Sequence, residues 1–154
     1  MGDLWNKEAL ERLFENLSKD YDIFAPKLYP GTGCSSDTDV VRYGAITSFD
    51  EIVWEQKSDY SFKEALLPVS DTVLYFTEST AKLPEAPKKR LIFLRACELN
   101  ALRRLDEIYL HNGPEDYYYK RVREEAKFIL MGCSHSFESC FCVSMGTNQA
   151  QGYD

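Results

Sequence analysis

Apolar residues near the start of the chain recur at Leu10, Leu13, Phe14 and Leu17, the three-and-four spacing that lines one face of a helix. The pattern predicts an amphipathic helix over residues 4–20, with Asp3 placed to cap its first turn. Residues 21–29 drop that period and extend toward Pro30-Gly31-Thr32-Gly33, a turn by composition. A weak alternation over 40–46 predicts a second strand, and 49–54 fit either a helical turn or a strand. Pro68 breaks the segment before it, residues 72–76 are rich in strand formers, and the two prolines within 82–87 mark a loop. That loop is the candidate sub-domain boundary, near 82–88.

The second half is patterned more strongly. Arg90-Leu91-Ile92-Phe93-Leu94 is a short, nearly all-apolar run, the signature of a strand covered on both faces. Leu99, Leu102, Leu105, Ile108 and Tyr109 then return to helical spacing until Asn112-Gly113-Pro114 stops it. Residues 114–126 predict a further helix, with Pro114 in its first turn and Glu115 and Asp116 complementing its dipole. Lys127-Phe128-Ile129-Leu130-Met131 reads as a second buried strand and leads to Gly132-Cys133. Strand, two helices, strand is a crossover unit, so these two strands should be parallel neighbours. The expected fold class is α/β, a small mixed or parallel sheet with flanking helices, in one domain spanning 1–154.

Composition narrows the function. With 44% hydrophobic and 14% aromatic residues in 154, the chain can bury a core. A formal net charge of −7 argues against nucleic acid as a partner, since phosphate binding needs clustered Lys and Arg, and Lys88-Lys89-Arg90 is too short a run to change that. No apolar stretch reaches the roughly 18 residues that span a bilayer, so no membrane is expected. The N-terminus shows no export signal, which points to the cytoplasm. No phosphate loop, dinucleotide fingerprint, nucleophile elbow or zinc-protease motif is present, and no catalytic residue is assigned.

The cysteines carry the chemistry. Five is an odd number, and in a reducing compartment grouped cysteines read as metal ligands or redox groups before disulfides. Cys97 and Cys133 each lie just past one of the two parallel strands, so they should share the carboxyl edge of the sheet, where ligands collect in open α/β folds. Cys140 and Cys142 follow in the next loop, so four thiols can converge in the pattern C-x35-C-x6-C-x-C. In an extended segment Cys140 and Cys142 would face the same way with their Cα atoms about 7 Å apart, too wide for a disulfide and suited to two corners of a cluster. Cys97 opens a helix, whose free N–H groups favour thiolate, while Glu98 opposes this and Arg95 offsets Glu98. Three readings stay open at this point: an iron–sulfur cluster, a four-thiolate zinc site, and thiols that share no ligand. Cys34 reads as a lone loop thiol, His135 as a solvated side chain, and Asp37 and Asp39 as turn formers. Tyr117, Tyr118 and Tyr119 should bury one ring and expose the others, a candidate docking patch together with the tail after Cys142.

Arg95-Ala96-Cys97-Glu98-Leu99-Asn100-Ala101, followed by Arg104-Leu105-Asp106, resembles a signature of the A-subunit family of anaerobic sulfite reductases, and the stretch from Cys140 through Thr147 resembles its close. Ser36-Asp37-Thr38-Asp39 and the stretch from Leu67-Pro68 to Leu74-Tyr75-Phe76 also fit its N-terminal region. More distantly the chain is similar to the β subunits of NiFe sulfhydrogenases, in which the first cysteine sits in Arg-Pro-Cys-Asp; here Ala96 and Glu98 replace that Pro and Asp. The resemblance implies an electron-transfer subunit that relays electrons from a flavin-containing subunit to a sirohaem-containing one, in an NADH-dependent reduction of sulfite to sulfide. It also implies the N-terminal part of a longer subunit, whose ferredoxin-like C-terminal domain would lie beyond Asp154. Cys97, Cys133, Cys140 and Cys142 are then the candidate ligands of one iron–sulfur cluster, expected to be 4Fe–4S. The rivals are a structural adaptor without a cofactor and a structural zinc domain held by the same four cysteines.

Overall fold

The computed structural model describes residues 6–35, 37–67, 70, 72, 74–82 and 88–149. Helix α1 (Lys7–Asp20) leads into the strands β1 (Tyr21–Tyr29) and β2 (Val40–Ala45), a 3-10 turn at Phe49–Glu51 and a single-turn helix α2 (Lys63–Leu66). Among the described residues, the two-residue strands β3 (Tyr75–Phe76) and β4 (Ala81–Lys82) pair only with each other. Then come β5 (Lys89–Arg95), α3 (Ala96–Asp106) continuing into a π-turn at Glu107–His111, α4 (Tyr117–Glu125) and β6 (Lys127–Met131). The sheet has the order β2-β1-β5-β6. β1 runs parallel to β5 and β5 parallel to β6, while β2 is antiparallel to β1. The carboxyl ends of β1, β5 and β6 therefore face one edge. The architecture is α/β with a mixed sheet, as the hydrophobic pattern implies.

β5 sets the layering. Side chains alternate across a strand, and its two parities enter two different cores. Ile92 and Leu94 pack with Phe62, Leu66, Leu102, Leu105 and Tyr119, on the side of α2, α3 and α4. Leu91 and Phe93 pack with Phe14, Ile23 and Ile52 on the opposite side, under α1 and the 3-10 turn. Burying each such aliphatic side chain contributes about 1.5–3 kcal/mol, which is why an all-apolar run fixes the central strand. Arg95 has the parity of Leu91 and Phe93 and ends the strand in register with Met131.

Several sequence expectations shift. Asp3 lies outside the described residues; the α1 cap is Asn6, whose Oδ1 accepts from the Ala9 N–H at 2.8 Å. The last helix does not begin at Pro114 but at Tyr117, because Asp116 accepts from the Tyr119 N–H at 2.8 Å and satisfies the free end there. β6 is an edge strand and only Met131 is buried, so it is not covered on both faces as its sequence suggests. Strand structure within 72–76 is confined, among the described residues, to Tyr75–Phe76 and stays out of the main sheet. Pro68 and residues 83–87, on which the helix-breaking and boundary expectations rest, lie outside the described residues. Among the described residues no helix is long and apolar enough to cross a membrane.

Candidate metal centre

Beyond the carboxyl end of β5 the chain turns directly into α3. Arg95 is still extended (φ −81°, ψ 162°), and its backbone N–H donates to Glu98 Oε2 at 2.8 Å, which caps the helix. Cys97 is thereby fixed in the first turn of α3. Tyr43 Oη donates to the same carboxylate oxygen at 2.8 Å. With two donors on Oε2, Glu98 acts as a half-buried structural acceptor rather than an open ligand. Burial pushes its carboxyl above the usual carboxylate range, with Arg95 and the two donors pulling the other way. The Tyr43 hydroxyl is likewise pushed up by burial, reinforced by Glu98.

Cys97, Cys140 and Cys142 line one cavity of about 580 Å³. Its walls also carry Lys57, Asn100, Arg104 and Met145. Asn100, Ala101 and Arg104 follow Cys97 at the i+3, i+4 and i+7 spacing of one helix face, so α3 presents its thiol and these side chains together. Asn100 Nδ2 donates to Ala96 O at 2.9 Å and reaches Thr147 O and Gln149 O at 3.4 Å, tying the tail to the helix. Lys57 Nζ donates to Ser139 Oγ at 3.4 Å and closes the other wall.

The tail is not extended. Thr147 N–H donates to Cys142 O at 2.8 Å, Met145 N–H to Phe141 O at 3.2 Å and Cys140 N–H to Phe137 O at 3.0 Å, so the segment winds through successive turns. Cys140 and Cys142 meet the same cavity through those turns, not through strand alternation. Phe141 also reaches the cavity wall while remaining largely exposed.

Cys133 is placed differently. It is exposed on the loop after β6, outside the cavity lining, and its Sγ accepts from Arg95 Nη1 at 3.5 Å. Burial pushes the Cys97 thiol up; Glu98, Cys142 and Cys133 add to this, and Lys57 opposes it. Cys142 and Cys133 are thus both electrostatic neighbours of Cys97. The thiolate-favouring effect expected at a helix N-terminus loses here to burial and to neighbouring negative charge. Among the described residues no three Cys, His, Asp or Glu side chains stand close enough together to hold a metal ion. Three thiols share a cavity and a fourth adjoins it. The soft sulfur donors have the chemistry of an iron–sulfur or zinc ligand set, without being drawn to bonding distance.

Cys34 is exposed in the β1–β2 turn and does not line the cavity. His135 is exposed and shares a 2.9 Å hydrogen bond with Ser134 Oγ, in keeping with a solvated side chain. Asp39 accepts from the Gly31 N–H at 2.9 Å and closes the turn. Lys57 and the tail carbonyls carry no motif in the sequence; the helix period from Cys97 would have pointed to Asn100 and Arg104.

Over 123 residues, 74% of this chain, the sequence is 27% identical to sulfhydrogenase 2 subunit beta of Pyrococcus furiosus. The chain spans 36% of that subunit's length. No family model matches the chain, and no solved structure matches it. The finding supports a distant relation to sulfhydrogenase β subunits.

Proposed function

We propose that this chain is the cluster-bearing N-terminal domain of an electron-transfer subunit in a multisubunit oxidoreductase. Cys97, Cys133, Cys140 and Cys142 would ligate one iron–sulfur cluster, of the 4Fe–4S type because four thiolates serve its four irons. The observation that carries this reading is the meeting of Cys97, Cys140 and Cys142 around one cavity beside the Cys133 loop. The relation to sulfhydrogenase 2 subunit beta supports a place within a multi-component complex. The likeness of the motifs around Cys97 and Cys142 to the A-subunit family of anaerobic sulfite reductases supports sulfite reduction to sulfide with electrons from NADH. The partners are then a flavin-containing and a sirohaem-containing subunit, in the cytoplasm.

A bound cluster takes up and passes on single electrons. The chain supplies the surroundings. Helix α3 fixes Cys97 in its first turn, while Cys140 and Cys142 lie on a segment of turns and Cys133 on the loop after β6. Lys57 and Arg104 line the cavity and favour an anionic occupant.

A structural adaptor without its own cofactor is the second reading, in which Cys133 stays exposed outside the cavity that the other three thiols line. Iron, acid-labile sulfide and zinc analysis of protein purified and reconstituted without oxygen separates the readings. About four irons and four sulfides per chain are expected for the cluster. One tightly held zinc and no iron supports a four-cysteine structural site, and no metal under either condition supports the adaptor.

A further inference from the structure

The Arg95 guanidinium is a buried cation that makes no direct ion pair among the described residues and meets the Glu98 charge only through space. The residue is only 4% exposed, and among the described residues its guanidinium donates to neutral acceptors. Nη2 donates to Trp54 O at 2.8 Å and Gln56 O at 3.2 Å; Nη1 donates to Gly132 O and to Cys133 Sγ, each at 3.5 Å. The plane lies over the Phe137 ring, 4.7 Å from its centroid. Glu98 is an electrostatic neighbour, but it accepts from the Arg95 backbone and from Tyr43, not from the guanidinium.

Taking a cation out of water costs several kcal/mol unless an anion answers it. Glu98 without a direct contact, neutral carbonyls and a ring face answer only part of the charge, and a neutral thiol is a weak acceptor. A sulfur that carries negative charge would complete the arrangement. Arg95 also spans the three segments that surround the thiols: the loop at residues 54–57, the end of β5, and the loop after β6. A planar fork reaches several acceptors at once, which a lysine ammonium on a flexible stem does not.

We propose that Arg95 is the positioning residue and fixed counter-charge of the thiolate site, holding Cys133 toward Cys97 and donating to its sulfur when a cluster is bound. The inference rests on the cluster reading above and adds what sets the cluster's potential and retention. A donor and a positive charge at a ligating sulfur favour the reduced, more negative state, so they raise the reduction potential. Arg95→Met keeps much of the stem and removes the charge and the donors; Arg95→Lys keeps the charge and loses the fork.

The test reconstitutes wild type and both variants anaerobically with ferrous iron and sulfide. It reads the midpoint potential by dye-equilibrated absorbance, the rate of iron loss to a chelator, and the fold by circular dichroism. Arg95→Met is expected to shift the midpoint to a more negative potential and to lose iron at least tenfold faster. Arg95→Lys is expected to keep more of the potential while still losing iron faster than wild type. A folded Arg95→Met protein with unchanged potential and unchanged iron loss overturns the inference and leaves the cluster standing. If Arg95→Met does not fold, Arg95→Lys decides: wild-type retention overturns the inference and faster loss supports it. If wild type itself binds no iron, the cluster reading falls and this inference with it.

Discussion

The carboxylate of Glu51 pairs with Lys27 and accepts from the Thr47 N–H and hydroxyl at 2.7 and 2.6 Å. These partners, the Lys27 contact first, hold its carboxyl down to about 2. A folded-state value below the unfolded one binds fewer protons in the fold, so the stabilisation is present above the ordinary carboxylate range and is lost as pH falls toward 2. The thermal midpoint of wild type should therefore drop more steeply than that of Glu51→Gln between about pH 4.5 and 2. Parallel pH profiles would contradict the assignment. The places of Cys97 and Cys133 at the sheet edge are legible because strand ends and helix starts are strongly patterned around them, whereas the sequence does not show that Cys133 stays exposed outside the cavity that Cys97, Cys140 and Cys142 line. Arg95 is legible only as a charge beside Glu98. Its burial and its reach to Trp54 O, Gln56 O and Cys133 depend on a loop from another part of the chain, and no local pattern encodes that.

Elements whose sequence alone decides their burial are the most legible. The middle of β5, Leu91 to Leu94, is all-apolar and central, and residues 21–29 match β1 because the turn chemistry after Tyr29 ends the strand where it does. The start of α4 is ambiguous in the sequence because Pro114 and Asp116 both suit a first turn, and the side chain that caps is Asp116. The burial of β6 does not follow from its apolar run, which says nothing of its place at the sheet edge. Two substitutions test the element account by chemical denaturation. Asn6→Ala removes the α1 cap and is expected to cost about 1 kcal/mol. Leu102→Ala opens a cavity where α3 meets Ile92 and Leu94, at an expected cost of about 2–5 kcal/mol. A cost below that of Asn6→Ala would contradict the packing of α3 as the main support of the site.

Over the whole molecule, exposed apolar residues gather on the tail beside the cavity: Phe141, Val143 and Met145 are each more than half exposed. Tyr117 and Tyr118 form a second exposed pair, while Tyr119 is buried, so the triple-tyrosine pattern resolves as its amphipathic reading implies. If the tail patch docks a partner subunit of the kind proposed above, Val143→Asp should weaken capture of that partner by about tenfold or more, with circular dichroism unchanged. Capture of that partner by Val143→Asp equal to wild type would sink the docking role. The central claim, that Cys97, Cys133, Cys140 and Cys142 act as one ligand set and Cys34 does not, is tested most directly by bound iron. The measurement is iron per chain after identical anaerobic reconstitution of wild type and the five single Cys→Ser variants. The expected result is full loading for wild type and Cys34→Ser, and loss of most iron in each of the other four. Full loading of Cys97→Ser or Cys133→Ser, or equal loss in Cys34→Ser, would contradict it.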